Sequence, residues 1–168
     1  MRSFLNKIDD VNATVCTRNV DIFAATETWL HNGINDNIIQ ISGYVHFRCD
    51  RQLRRGGGVC VWSHSSINVK RLVPVFQLDF IEAVWIYLCQ LKIIFVCIYI
   101  PPDFSIASKM MIDNYFISNA DHFLERYCDC DLIICGDLNR YDTVNISNHL
   151  DLSNLVNETT REHATLDY

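Results

Sequence analysis

Two hydrophobic periods run along this chain, and the changes between them divide it into elements. Leu5, Ile8, Val11 and Val15 recur at helical spacing with Asp9 and Asp10 between them, which predicts an amphipathic first helix. Asp21 to Thr26 is a short continuous apolar run and predicts a buried strand ending at Glu27-Thr28-Trp29-Leu30. Residues 33–43 read as a loop with a short edge element. An arginine-rich stretch and Gly56-Gly57-Gly58 then lead into Val59-Cys60-Val61-Trp62, another strand. Residues 81–90 and 92–100 are rich in β-branched and aromatic side chains. They predict an antiparallel pair that turns near Leu91-Lys92 and is closed by Pro101-Pro102. Met111, Tyr115, Ile117 and Phe123-Leu124 mark a helix over 108–127. Residues 131–135 form a short apolar strand that ends in Gly136-Asp137-Leu138-Asn139. A polar stretch, a short helix around 152–156 and a strand beginning at 164 complete the pattern. Intermixed strands and helices predict an α/β fold, a two-sheet sandwich flanked by helices, as a single domain over residues 1–168.

The bulk numbers agree with one globular unit. The chain has 168 residues, 49% hydrophobic and 20% charged, with 6 Gly and 3 Pro and no repeat or low-complexity tract. The longest uncharged apolar run, 93–102, is too short to span a bilayer, so no membrane partner is expected. Acidic residues arrive too early in the first ten for a signal peptide, and an intracellular, non-secreted protein with reduced thiols is expected. The 8 cysteines include no Cys-x-x-Cys pair, which argues against a zinc site. A net charge of −6 argues against a protein that coats nucleic acid, but not against a nuclease, whose site needs carboxylates to hold a cation.

Candidate chemistry sits where apolar runs end. Glu27, Tyr99 and the pair Asp137 and Asn139 each follow a predicted strand, where a rigid sheet feeds loops. Glu27 offers the hard oxygen that Mg²⁺ prefers. If the segment is extended, Asp137 and Asn139 share a face, a carboxylate beside a neutral amide donor. Taken singly, each has a plainer account: a surface charge, a core tyrosine, a turn. Arg48, Arg51, Arg54 and Arg55 form the densest positive patch of an acidic chain, either a solvated loop or a set of phosphate contacts.

The motifs in this order resemble the endonuclease/exonuclease/phosphatase superfamily: Glu27-Thr28-Trp29-Leu30, the arginines leading to Gly56-Gly57-Gly58-Val59, Tyr99-Ile100-Pro101-Pro102, Gly136-Asp137-Leu138-Asn139 and Ala164-Thr165-Leu166-Asp167. The version with Glu-Thr-Trp-Leu and Tyr-x-Pro-Pro is similar to the endonuclease domain of jockey-like non-LTR retrotransposons. The resemblance implies that Glu27 binds Mg²⁺ (or Mn²⁺) and that Tyr99 hydrogen-bonds the scissile phosphate. It also implies that Asp137 orients or deprotonates the attacking water, Asn139 holds a phosphoryl oxygen and Asp167 orients a catalytic histidine. The implied reaction nicks double-stranded DNA in the nucleus to prime reverse transcription, beside a reverse-transcriptase domain in the parent polypeptide. That family opens with a strand ending Asn-x-Arg-Ser, of which Arg2-Ser3 is present here, and closes with Ser-Asp-His. None of the histidines at 31, 46, 64, 122, 149 and 163 stands in that context. A domain missing its first and last strands, with weak or no nicking activity, is therefore expected. A phosphoesterase for phospholipid head groups and a non-catalytic DNA-binding remnant of the fold are the competing readings.

Overall fold

Residues 4–52 and 55–156 are described in the computed structural model of the chain. β1 (Ile22–Thr26), β2 (Tyr44–Cys49) and β3 (Val59–His64) make an antiparallel sheet in the order β1-β3-β2. β4 (Val69–Leu72), β5 (Glu82–Leu88), β6 (Ile93–Tyr99) and β7 (Asp131–Asp137) make a second, ordered β4-β5-β6-β7. Its strands are antiparallel except for the parallel pair β6 and β7. The chain finishes one sheet before it starts the other. Helix α1 (Ile8–Thr17) follows a 3-10 turn at Phe4–Lys7, α2 (Ile106–Arg126) is the crossover that a parallel β6–β7 pair requires, and α3 (Val144–Leu150) comes after β7.

Period-two alternation on each strand sorts side chains into three cores. Val59 and Val61 of β3 meet Val84, Ile86 and Leu88 of β5 and Cys97 and Tyr99 of β6 between the sheets. The opposite faces look outward to the helices. Cys60 and Trp62 pack with Phe4, Val15 and Ile39, while Trp85, Ile94, Val96 and Ile98 pack under Ile112, Tyr115, Phe116 and Phe123 of α2. Under α2, Trp85 donates its indole N–H to the Tyr115 hydroxyl at 2.8 Å. Tyr115→Phe should strand that buried donor and cost about 1–3 kcal/mol. The check is urea unfolding, with a lower midpoint at an unchanged m value.

One glycine is demanded by a close approach. Gly136 lies inside β7 with φ +133°, and a Cβ on it would stand 1.9 Å from the Ile98 carbonyl oxygen of β6.

The expected first helix, the strands at 22–26 and 59–64, the β5–β6 hairpin and the long helix all form. β2 and β4 are additions. His46 and Arg48 break the pattern of β2, and β4 is four residues with two of them basic, so neither reads as a strand by itself. The short final helix lies at 144–150 and not at 152–156, because Ile146, buried in the core under α2, anchors it there. The strand expected from 164, together with Arg54, His163, Asp167 and residues 1–3, lies outside the described residues. No helix among the described residues is long and apolar enough to cross a membrane.

Candidate active site

The strand registers bring the motif-bearing ends together. Thr26 at the end of β1 pairs with Val59 at the start of β3. Glu82 at the start of β5 pairs with Tyr99 at the end of β6, and Tyr99 pairs in turn with Asp137 at the end of β7. With the sheets face to face, these ends meet at one end of the sandwich.

Immediately after β1 the backbone is forced into a tight shape. Glu27 and Trp29 both take left-handed conformations, φ 51° and 58°, which cost about 1–2 kcal/mol for a residue with a side chain. The turn is held by the glycine run that precedes β3. The backbone N–H of Thr28 donates to the Gly58 carbonyl at 3.3 Å, and that of Trp29 to the Gly57 carbonyl at 2.9 Å. Fixed in this way, the Glu27 carboxylate accepts the Tyr99 hydroxyl at 2.9 Å, a bond between residues 72 apart in sequence and from opposite sheets. Burial first, then the hydrogen bond and charge of Glu27, push the Tyr99 phenol up to about 12, with Asp137 adding to the effect and Arg51 opposing it. Tyr99 is therefore a protonated donor at neutral pH.

Asp137 and Asn139 are close, but not by the extended geometry expected. β7 ends at Asp137, Leu138 turns into the core, and Asn139 is left-handed at φ 51°. The two meet through a turn in which the Asn139 N–H donates to Asp137 Oδ1 at 3.1 Å. The Asn139 amide donates to the Ile100 carbonyl at 2.7 Å and so pins the segment after Tyr99.

The arginines have separate fates. Arg48 is clamped by Asp50, with Nε to Oδ1 at 2.9 Å, and by Asp36 at 2.8 Å, and these carboxylates hold its guanidinium above the usual range. Arg51 makes a fork to Glu82, 2.7 Å from Nε and 2.8 Å from Nη2. The donors of both point inward to protein. Arg55 lies over the Trp29 ring, 5.2 Å from its centroid, at an exposed position. Glu82 was not singled out from sequence. Val84, Ile86 and Leu88 share its strand face and point into the core, so a carboxylate in register with them had to be buried and paired.

Among the described residues no three His, Cys, Asp or Glu side chains converge as a ready-made metal cage. Three of the described histidines are engaged elsewhere, His46 with Asp36 at 3.6 Å, His64 with Ser66 at 2.7 Å and His149 with Asp121 at 3.1 Å. A cavity of about 770 Å³ opens beside Arg51 and Glu82, walled by Arg71, Leu72, Asp79 and Trp85, but none of Glu27, Tyr99 and Asp137 lines it.

Neither a protein-family profile nor a curated protein sequence matches the chain. Solved structures do. The AP endonuclease from Archaeoglobus fulgidus superposes with a TM-score of 0.55 at 16% identity, over 81% of this chain and 53% of that one. For the AP endonuclease of Leishmania major the figures are 0.57, 12%, 82% and 53%. A 3′ phosphatase from Neisseria, bound to a product DNA hairpin, gives 0.54, 16%, 82% and 55%. The chain thus spans a little over half the length of these structures. Its fold is the two-sheet sandwich of the endonuclease/exonuclease/phosphatase proteins, as the motifs implied.

Proposed function

We propose that this chain carries the catalytic end of a divalent-metal-dependent phosphoesterase that hydrolyses phosphodiester bonds in DNA. The supporting observation is the Tyr99–Glu27 hydrogen bond, which joins the two sheets at the end where Asp137 also lies. Chemistry-bearing side chains from three separated strand ends have little reason to meet in a sandwich held together by its apolar cores.

The donor set fits Mg²⁺ or Mn²⁺, whose sites often use one or two carboxylates together with substrate phosphate. Glu27 would hold the ion, whose chemistry when bound is to neutralise charge building on the phosphoryl oxygens. The Tyr99 hydroxyl, kept protonated, would turn its one O–H from Glu27 to a phosphate oxygen once the ion occupies that carboxylate. Asp137, an acceptor braced by the Asn139 N–H, orients a water or takes its proton. Asn139, held through Ile100, keeps Asp137 and Tyr99 in register. Asp167, as the partner of a histidine, belongs to the same reading.

The finer version is a target-nicking endonuclease of a jockey-like non-LTR retrotransposon, nuclear and working beside a reverse transcriptase. It rests on the sequence motifs around Glu27 and Tyr99. The test is supercoiled plasmid with Mg²⁺ against the same reaction in EDTA. Nicked circles that appear only with the metal support the hydrolase. Duplex binding with no cleavage at any metal concentration would make the chain an interaction module instead.

The positive patch gives a separate prediction. Arg55→Ala should weaken duplex binding and flatten the log–log dependence on salt by about 0.9 per lost phosphate contact. Arg48→Ala should leave the slope unchanged, because the donors of Arg48 are held by Asp36 and Asp50. Fluorescence anisotropy with a labelled duplex over a salt series reads both. Equal slopes for Arg55→Ala and the parent chain would return Arg55 to a solvated loop.

A further inference from the structure

The pair Arg51 and Glu82 has no part in the roles assigned above, and its placement is unusual. Arg51 follows β2 of the first sheet, and Glu82 opens β5 of the second. Their side chains are only 11% and 4% exposed and are joined by the two hydrogen bonds of the fork. Glu82 Oε2 also receives the Gly58 N–H at 3.5 Å, from the glycine run that fixes the turn at Glu27. Gly57 leaves room for the guanidinium, since a Cβ there would stand 2.5 Å from Arg51 Cζ. On its other side the guanidinium covers the Tyr99 ring, 5.1 Å from the centroid. Glu82 and Arg51 therefore touch both halves of the Tyr99–Glu27 bond: the ring on one sheet, and the turn that carries the carboxylate on the other.

We propose that Arg51 and Glu82 form a cross-sheet clamp that positions Tyr99 and Glu27, so that Arg51 is a positioning residue for the site and not a DNA contact. The proposal rests on the reading of Glu27 as a metal ligand. A buried ion pair is poor evidence of a contribution to stability, since apolar residues of similar volume often serve as well or better. An apolar replacement here would neither grip the tyrosine ring as a cation does nor receive the Gly58 N–H. The bidentate fork also needs arginine in particular. Lysine keeps the charge but cannot present two parallel donors to a carboxylate while lying flat on a ring.

The test uses the sign of the effect on cation binding. Removing a positive charge near a cation site should tighten binding on electrostatic grounds alone. Removing Arg51 and Glu82 together leaves the local net charge unchanged. A positioning clamp predicts the opposite of the first and a change where the second allows none. The full chain is titrated with Mn²⁺ by electron paramagnetic resonance, with Glu27→Gln identifying the binding that belongs to the site and circular dichroism confirming that each variant is folded. The double variant Arg51→Met with Glu82→Met, which an apolar core should accept, is expected to bind Mn²⁺ about 10-fold more weakly, the scale typical of residues that support a metal ligand. Arg51→Lys should recover part of the loss, and Arg48→Met, a charge lost from the same segment, should cause no weakening. If Glu27-dependent binding is unchanged or tighter in the double variant, the clamp is overturned while the metal site stands. If Glu27→Gln leaves the binding of the parent chain untouched, the reading of Glu27 as a ligand fails, and the clamp fails with it.

Discussion

Asp137→Asn should lower Mg²⁺-dependent plasmid nicking, weak as that is expected to be in this chain, by about 10²–10⁴-fold, the usual contribution of a positioned general base. The substitution separates chemistry from structure. An asparagine has nearly the same shape as the aspartate, and its side-chain oxygen can still accept the Asn139 N–H, so the turn after β7 should survive. What is lost is a negative charge beside Tyr99 and an acceptor able to take a proton. Glu27→Gln should fall in a similar range if that carboxylate holds the cation. Tyr99→Phe should cost less, since it removes one donor and leaves both carboxylates. Single-turnover nicking at saturating protein, compared at equal folded fraction, is the measurement. A rate for Asp137→Asn within about threefold of the parent chain would place the base elsewhere.

Gly136→Ala should be among the most destabilising single substitutions in the molecule. Its φ of +133° lies in a region essentially closed to residues with a side chain, and the added Cβ would have to displace the backbone of Ile98 on the neighbouring strand. Strain of this kind costs about 1–3 kcal/mol before the clash is counted, so a total of roughly 3–5 kcal/mol is expected. At about 2–4 °C per kcal/mol, the thermal midpoint should fall by roughly 6–20 °C. The residue stands between Cys135 and Asp137 in the strand that carries the proposed base, and Ile98 precedes Tyr99. A change forced here would therefore move both catalytic strands, and activity per folded molecule should drop as well. A midpoint within about 2 °C of the parent would mean that β6 and β7 are not so closely apposed.

Strands buried on one or both faces were readable from sequence because their apolar runs are uninterrupted, as in β1, β3, β5 and β6. β2 was not, because Arg48 sits in it. In the fold that arginine is neutralised by Asp36 and Asp50, and Asp36 lies 12 residues away, where no local window looks. Glu82 was missed for the same reason, since its partner lies 31 residues upstream. The site residues at strand ends were found by motif, but their mutual geometry was not. Alternation placed Asp137 and Asn139 on one face of an extended segment, and the chain instead folds back through a left-handed asparagine. Local pattern reports burial well. It does not report which distant carboxylate a buried cation will choose.

The order in which the sheets are written along the chain bears on how the site comes into being. Residues 22–64 complete one sheet and 69–137 complete the other, so each sheet closes within its own stretch of the chain. During synthesis the half bearing Glu27 can fold while the half bearing Tyr99 and Asp137 is still emerging. The Tyr99–Glu27 bond and the Arg51–Glu82 fork then form only on docking. A break in the link at residues 65–68 would consequently leave two fragments, each holding part of the machinery. Mixing them should restore metal-dependent cleavage with second-order kinetics, the rate following how often the two halves meet.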